Sequence, residues 1–336
     1  MQNVRDINYI CTNCFSTLDA HRVCPRCGKR AIDEQQQPGA LPLRSMLSGR
    51  YIVGTPLGRG GFGITYKAYD TLTGKIVAIK EFFPKGYTKR LTNSCAIEGG
   101  NSENGKVFNY WLSAFIQEAK VLTSIKHLDG IVSIHDFFLT NNTAYIVMEY
   151  LNGMSLHRFI NGRGGRLNLT ETLNIMRPVI ETLLRLHQYG MIHKDISPEN
   201  IQIVDNHAIK LIDFGAASLY TQNVQKPFFV LKKGYSPIEL YSQGGAQGPW
   251  TDIYELAATI YTCIVGNPPP EATERRLNDK LVPPSSLNIK IQPVREKSLL
   301  KALSLYPKDR YSNIAAFQQM FYGEFLPNTT LHTKTD

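Results

Sequence analysis

The stretch HKDISPENIQIVDNHAIKLIDFG, residues 193–215, decides how the rest of the chain is read. Asp195 and Asn200 flank four residues, and Asp213 follows a short β-like run, residues 209–212, and precedes Phe-Gly. Phosphoryl transfer asks two things of side chains. One carboxylate must orient an incoming hydroxyl and take its proton, and an acid with an amide must hold the metal ions that bridge the nucleotide phosphates. Asp195 suits the first task; Asn200 with Asp213 suits the second. Any three polar residues could form a solvated loop, but two ordered motifs in one short span argue against that.

Bulk composition leaves room for such an enzyme. The 336 residues, 43% of them hydrophobic, suffice for about two domains with a sizeable core, and wholesale disorder is excluded. A net charge of +9 would allow an acidic partner. Nucleic acid would fit that charge too, as would an ATP-binding enzyme with scattered lysines, and no long basic run decides between them; nucleic acid is not expected as a partner. No apolar run reaches the roughly 18 residues that span a bilayer, and the start, MQNVRDINYI, lacks a signal-peptide core. No membrane span and a cytoplasmic location are therefore expected.

Toward the N-terminus, Cys11, Cys14, Cys24 and Cys27 form two CxxC pairs. Two closely spaced thiolates from each of two turns can surround one Zn²⁺ tetrahedrally, and Gly28 suits the turn that follows the second pair. A redox dithiol is the alternative, but no βαβ pattern surrounds these residues. A ribbon this small cannot bury a core, so the metal would supply its folding energy. Residues 1–33 carry five Lys/Arg against three Asp/Glu, a net of +2, which is weak support for nucleic-acid binding. A docking or regulatory module is expected instead, with a partner at the ribbon, and its removal should spare catalysis. Residues 34–47, which begin EQQQPGALP, read as a linker, and residues 326–336 as a tail.

Between two strand-like runs, Gly58, Gly60 and Gly63 make GxGxxG. Glycines let a backbone bend closely over phosphates. Alone this motif is weak. Because ITYKAYD favours a second strand over a helix, the reading here is a β-hairpin lid. Lys80 ends the apolar strand IVAIK and needs a counter-charge. Residues 106–126 place Trp111, Phe115, Leu122 and Ile125 at helical spacing, with Glu118 on the same stripe. Residues 86–105 read as a long loop. Residues 170–189 read as a helix capped by Thr170 and stopped by Gly190.

In order along residues 50–322, these motifs resemble the Hanks-type, eukaryotic-like protein serine/threonine kinases, and the wording LGRGGFGITYKA looks bacterial. The fold this implies is α+β and bilobal: a β-rich small lobe, about 48–148, and a mostly helical large lobe, about 149–325, preceded by the zinc ribbon. Beside the Zn²⁺ read from the cysteine pairs, the resemblance implies ATP and Mg²⁺ (or Mn²⁺) as cofactors and serine/threonine hydroxyls of protein substrates as acceptors. It assigns Lys80 to the nucleotide phosphates with Glu118 as its ionic partner. Leu57, Ala78, Met148, Glu149, Leu151 and Gln202 would surround the nucleotide base. Asp252 would brace the catalytic loop, and Glu239 would pair with Arg310.

Three departures stand out. Ser197 occupies the place of a lysine that contacts the γ-phosphate. Lys194 replaces an arginine that would receive an activation-loop phosphate, which puts control through Ser218, Tyr220 or Thr221 in doubt. Gln202 replaces an apolar residue under the adenine. A catalytically weak pseudokinase scaffold and a small-molecule kinase are the rival readings.

Overall fold

A computed structural model describes residues 6–92, 94–99, 105–125, 128–205, 207–214, 218–219, 231–242 and 245–323. The chain forms two compact units, Met1–His127 with Val132–Asn152 and Leu128–Ile131 with Gly153–Asp336. No described helix is long and apolar enough to cross a membrane.

The first unit is built on strands β1 (Met46–Leu47), β2 (Tyr51–Arg59), β3 (Gly63–Asp70) and β4 (Lys75–Phe82). To these are added β5 (Thr88–Arg90), β6 (Ile97–Gly99), helix α1 (Gly105–Ser124), β7 (Ile134–Thr140) and β8 (Thr143–Glu149). Six of the strands form one antiparallel sheet in the order β1-β2-β3-β4-β8-β7. Strand alternation sends Lys80 and Glu81 to opposite faces. On the face of Glu81, a core of Leu41, Leu47, Tyr51, Val53, Tyr66, Ile79, Tyr145 and Val147 closes. There Tyr66 and Tyr145 donate hydroxyl hydrogen bonds to the buried Glu81 carboxylate at 2.8 and 2.9 Å.

Arg90 completes that network. Its guanidinium pairs with Glu81 and donates to the carbonyls of Gly39, at 2.9 Å, and Cys95. Residues 86–105, expected as a long loop, thus contain the β5–β6 hairpin, whose arginine neutralises a buried acid. Residues 34–42 also differ from a free linker. Leu41 is buried and its N–H donates to the Tyr66 hydroxyl at 3.0 Å, while Arg59 donates to the Pro38 carbonyl at 2.7 Å. Polar and turn-forming neighbours masked this short apolar Ala40-Leu41 pair.

The cysteine-bearing segment lies against the same sheet. Ile10 and Phe15 bury with Ile52, and Ile7, Tyr69 and Ile76 pack around them. The rings of Phe15 and Tyr69 stack at 5.8 Å. Between Val53 and Gly58 the pairing of β2 with β3 is irregular, and there the Thr55 N–H donates to the Thr12 carbonyl at 3.1 Å. A Cβ on Gly54 would stand 2.3 Å from that same oxygen, so glycine is required.

The second unit holds β9 (Gly153–Ser155), α2 (Leu156–Gly162), α3 (Leu169–Gln188), β10 (Met191–Ile192), β11 (Ile201–Val204), β12 (Ile209–Leu211) and β13 (Ser218–Leu219). Helices α4 (Pro249–Val265), α5 (Ala272–Leu277), α6 (Pro293–Ala302) and α7 (Ile314–Tyr322) follow. Asn168, not Thr170, caps α3: its side chain accepts from Glu171 N–H, and Glu171 reaches back to the cap. A capping box of this kind outcompetes the threonine two residues on, which lies inside the first turn. Every residue of α4 from Thr251 to Ile264 is buried, the pattern of a central core helix. Its polar members Asp252, Glu255 and Thr259 are the ones that reach the loop described next.

Candidate active site

The catalytic-type loop is held from below by α4. Asp252 is fully buried and accepts the backbone N–H groups of His193, at 2.9 Å, and Lys194, at 2.8 Å, while His187 Nε2 lies 2.8 Å from it. Burial pushes the Asp252 carboxyl up, but His187 and these donors outweigh it and hold it below the usual carboxylate range. Glu255 accepts Ile196 N–H at 2.8 Å. Burial, then the charges of Asp252 and Asp195, push the Glu255 carboxyl well above its ordinary value. Thr259 donates to the Ile196 carbonyl at 3.3 Å. Sequence reading anticipated Asp252 and missed Glu255 and Thr259, which only their one- and two-turn spacing from Asp252 on the same helix face could have suggested.

Asn200 closes the loop on itself. Its amide donates to the Asp195 carbonyl at 2.9 Å, and its own carbonyl accepts Ile212 N–H at 2.9 Å, which ties the loop to the residues before Asp213. Lys194 and Asp213 both lie in the left-handed region, at φ 62° and 64°. Non-glycine residues rarely adopt it, and it clusters at sites where the surrounding structure over-determines the backbone. Phe214 is buried with its ring 4.5 Å from that of His193, whose imidazole is kept neutral by burial. Gly215 lies outside the described residues.

The Asp195 side chain remains 25% exposed, so an acceptor hydroxyl can reach it. Burial lifts its carboxyl above the ordinary range; Lys232 opposes the lift and Asp213 adds to it. Lys232 was not foreseen. Its Nζ stands 3.0 Å from Asp195 Oδ1 and 2.6 Å from Ser197 Oγ. The one legible signal was negative: a serine at 197 leaves the loop short of a cation. Gln202 lies in β11, paired with Lys210 of β12 and Ser155 of β9, while the side chain of Ile201 is buried.

In the first unit, Lys80 Nζ and Glu118 Oε1 are 3.3 Å apart and both side chains are largely buried. The Lys80 ammonium also lies 5.5 Å from the centre of the Phe115 ring. The glycine motif forms the turn of the β2–β3 hairpin, with Gly60 N–H donating to the Gly63 carbonyl at 2.9 Å. Only Gly63 is sterically obligatory: a Cβ there would meet the Glu81 carbonyl at 2.3 Å, whereas Gly58 and Gly60 face open space. Leu57 is exposed just before the turn. Ala78 pairs with Met148 across β4 and β8. Glu149 exchanges bonds with Ser133, donating N–H at 2.9 Å and accepting at its carboxylate at 2.8 Å. Leu151 follows, half-buried.

Residues 51–321 match the protein kinase domain model. The chain belongs to the protein kinase family. Its relatives include a probable serine/threonine-protein kinase of Clostridium acetobutylicum, 28% identical over 81% of this chain and 39% of the relative. They also include serine/threonine-protein kinase PrkC of Bacillus subtilis, 31% identical over 66% of this chain and 31% of the relative. The chain thus spans well under half the length of these curated kinases. Among solved structures, the kinase resembles the apo form of PpkA-294 with a TM-score of 0.74 and 32% identity, over 84% of this chain and 99% of that one. The kinase domain implies ATP and a divalent metal. Ser218 lies in β13 of the kinase; Tyr220 and Thr221, the other candidate phosphate acceptors, lie outside the described residues.

The N-terminal segment of the kinase carries a cluster of metal-ligating type. The Sγ atoms of Cys11, Cys14, Cys24 and Cys27 all lie within 4.8 Å of one another. Two pairs across the cluster, Cys14–Cys24 and Cys11–Cys27, are at 3.4 and 3.6 Å. Four sulfurs at about 2.3 Å from a tetrahedral zinc would sit roughly 3.8 Å apart, so the donor set fits. Each CxxC is followed by a left-handed residue, Phe15 at φ 61° and Gly28 at φ 70°. In each, the N–H of that residue donates to the first cysteine's carbonyl at 2.9 Å. Glycine adopts this geometry freely; Phe15 is held there by burial against the sheet. Against burial, the Lys29 N–H, the Asn13 side chain and the neighbouring thiols draw the Cys27 thiol down to about 6. His21 is exposed, outside the cluster.

Proposed function

We propose that this chain transfers the γ-phosphoryl group of ATP to serine or threonine hydroxyls of protein substrates. The observation that carries the reading is the braced loop that presents Asp195 at a partly open position, tied through Asn200 to the approach to Asp213. The hydroxyl oxygen attacks the γ-phosphorus in line. The bond from that phosphorus to the bridging oxygen breaks, its electron pair leaves on ADP, and the hydroxyl proton passes to Asp195. Asn200 and Asp213 would hold Mg²⁺, which when bound neutralises charge on the β- and γ-phosphates. Lys80, steadied by Glu118, is the proposed cation for the phosphates, and Gly58, Gly60 and Gly63 the proposed turn over them. Leu57, Ala78, Met148, Glu149, Leu151 and Gln202 are the residues proposed for the base.

Transfer from γ-labelled ATP to a degenerate peptide mixture, with phosphoamino-acid analysis, tests this directly. Label on serine or threonine supports it; neither transfer nor ATP binding by the wild type, with Mg²⁺ or Mn²⁺, points to a pseudokinase. Lys80→Met should lower transfer by about 10²-fold or more, because a charge placed for the transition state is lost. Circular dichroism should show the fold retained. Near-normal turnover in that variant would remove Lys80 from the site.

The cysteine cluster is proposed to hold one Zn²⁺ that supplies the folding energy of its segment. Metal analysis of freshly purified protein should find about one equivalent, and Cys24→Ser should lose it. Disulfides without metal would reject the site. The exposed Arg26, Lys29 and Arg30 are among the ribbon residues open to a docking partner.

A further inference from the structure

We infer that Lys232 supplies the positive charge that Ser197 leaves out of the catalytic loop, so that the cation steadying Asp195 comes from the segment preceding Gly234-Tyr235. This rests on the phosphoryl-transfer reading above. Lys232 Nζ donates to Ser197 Oγ at 2.6 Å, lies 3.0 Å from Asp195 Oδ1 and is 3.7 Å from Glu199 Oε2. Ser197 is fully buried, and its hydroxyl fixes the ammonium on the side away from solvent. The lysine side chain is 27% exposed, comparable to Asp195, so the two present one open face to an incoming hydroxyl and phosphate.

The position is fixed by the backbone, not left to a wandering side chain. Lys232 N–H donates to Ser236 Oγ at 2.9 Å, and its carbonyl accepts from Tyr235 N–H at 3.0 Å and Ser236 N–H at 2.9 Å. Gly234 sits in this turn at φ 79°, with the Pro269 carbonyl 2.6 Å from where a Cβ would stand. Tyr235 and Ser236 are buried. The adjacent Lys233 is different: it is 87% exposed and only approaches Glu271, at 3.7 Å. Two consecutive lysines are thus sorted by the turn, one onto the site and one into solvent. Lys232 acts as a positioning residue. It holds the Asp195 carboxylate in one orientation and brings a cation beside the place where charge develops on the transferring group. Because that cation sits outside the catalytic loop, any rearrangement of the 232–236 turn removes it from the reaction without touching the loop.

The test uses the full chain, γ-labelled ATP and the same peptide mixture, with kcat and the KM for ATP measured separately. Lys232→Met should lower kcat by about 10²-fold with KM for ATP changed by less than about threefold. Lys232→Arg should retain most of the turnover. The double variant Lys232→Met/Ser197→Lys returns a cation from the loop side and should recover at least about tenfold of the loss. Lys233→Met should behave as wild type. A Lys232→Met enzyme at or above the wild-type rate would overturn the inference, since Lys232 would then be a plug on Asp195 or a bystander. Equal loss in the Met, Arg and double variants, with the fold intact by circular dichroism, would reduce it to a structural contact. A wild type that transfers no phosphate fails the underlying reading instead.

Discussion

Asp195→Asn should lower kcat by about 10²- to 10⁴-fold while ATP still binds, because a positioned general base contributes on that order. The substitution keeps the shape of the side chain, and the loop is braced elsewhere. Asp252 and Glu255 hold the backbone of residues 193, 194 and 196, and Asn200 bonds the carbonyl of residue 195, not its carboxylate. The loop should therefore keep its form when the charge is removed. Asp213→Ala is the informative comparison: it should weaken Mg²⁺-ATP binding as well as turnover. These residues act together, so combined losses will fall short of the sum. Equilibrium binding of a fluorescent ATP analogue, alongside single-turnover transfer, separates the two effects. An Asp195→Asn enzyme within a factor of about three of wild type would show that the proton goes elsewhere.

Arg310→Ala should cost about 3–5 kcal/mol of stability in the second unit, since it strands a buried acid. Arg310 is fully buried and grips Glu239 through two parallel hydrogen bonds of 2.7 and 3.0 Å. It also donates to the carbonyls of Ser304, Leu305 and Trp250, at 2.8, 2.7 and 3.1 Å, and stacks over the Tyr254 ring at 4.8 Å. After its removal Glu239 still accepts from the Thr251 hydroxyl, at 3.0 Å. Arg310→Lys should rescue little, because an ammonium cannot reproduce the planar fork. Thermal unfolding followed by circular dichroism should show the midpoint lowered by roughly 10 °C. A shift of under about 2 °C would mean that the site relaxes and rehydrates Glu239.

Much of this was legible in the residues because phosphoryl transfer constrains them tightly. Asp195, Asn200 and Asp213 are close in sequence, and Lys80 with Glu118 is demanded by the cost of a buried unpaired charge. The Asp252 brace and the Glu239–Arg310 pair followed from motif order alone. What escaped was set by tertiary contact. Lys232 is far in sequence from Ser197, and no periodicity links a turn lysine to a loop hydroxyl. Arg90 lies in a polar stretch whose strands are three residues each, too short to show alternation. Phe15 directly follows the first CxxC, and no sequence pattern there points to the sheet on which it packs. The cap of α3 moved because asparagine and threonine are both good cap formers, and the decision fell to Glu171.

The contact of the N-terminal segment with β2 sets where the gene can be cut. The family match begins at residue 51, yet a fragment starting there would lack Leu41 and Leu47 from its core, expose Ile52, Tyr69 and Ile76, and leave the Thr55 N–H without Thr12. Such a fragment should be poorly soluble however complete its catalytic residues are. With the proposed Zn²⁺ in the cysteine cluster, a strong chelator should for the same reason act as a slow denaturant of the strand that carries the glycine turn. A screen for inhibitors that contains one would report losses of activity unrelated to the nucleotide site.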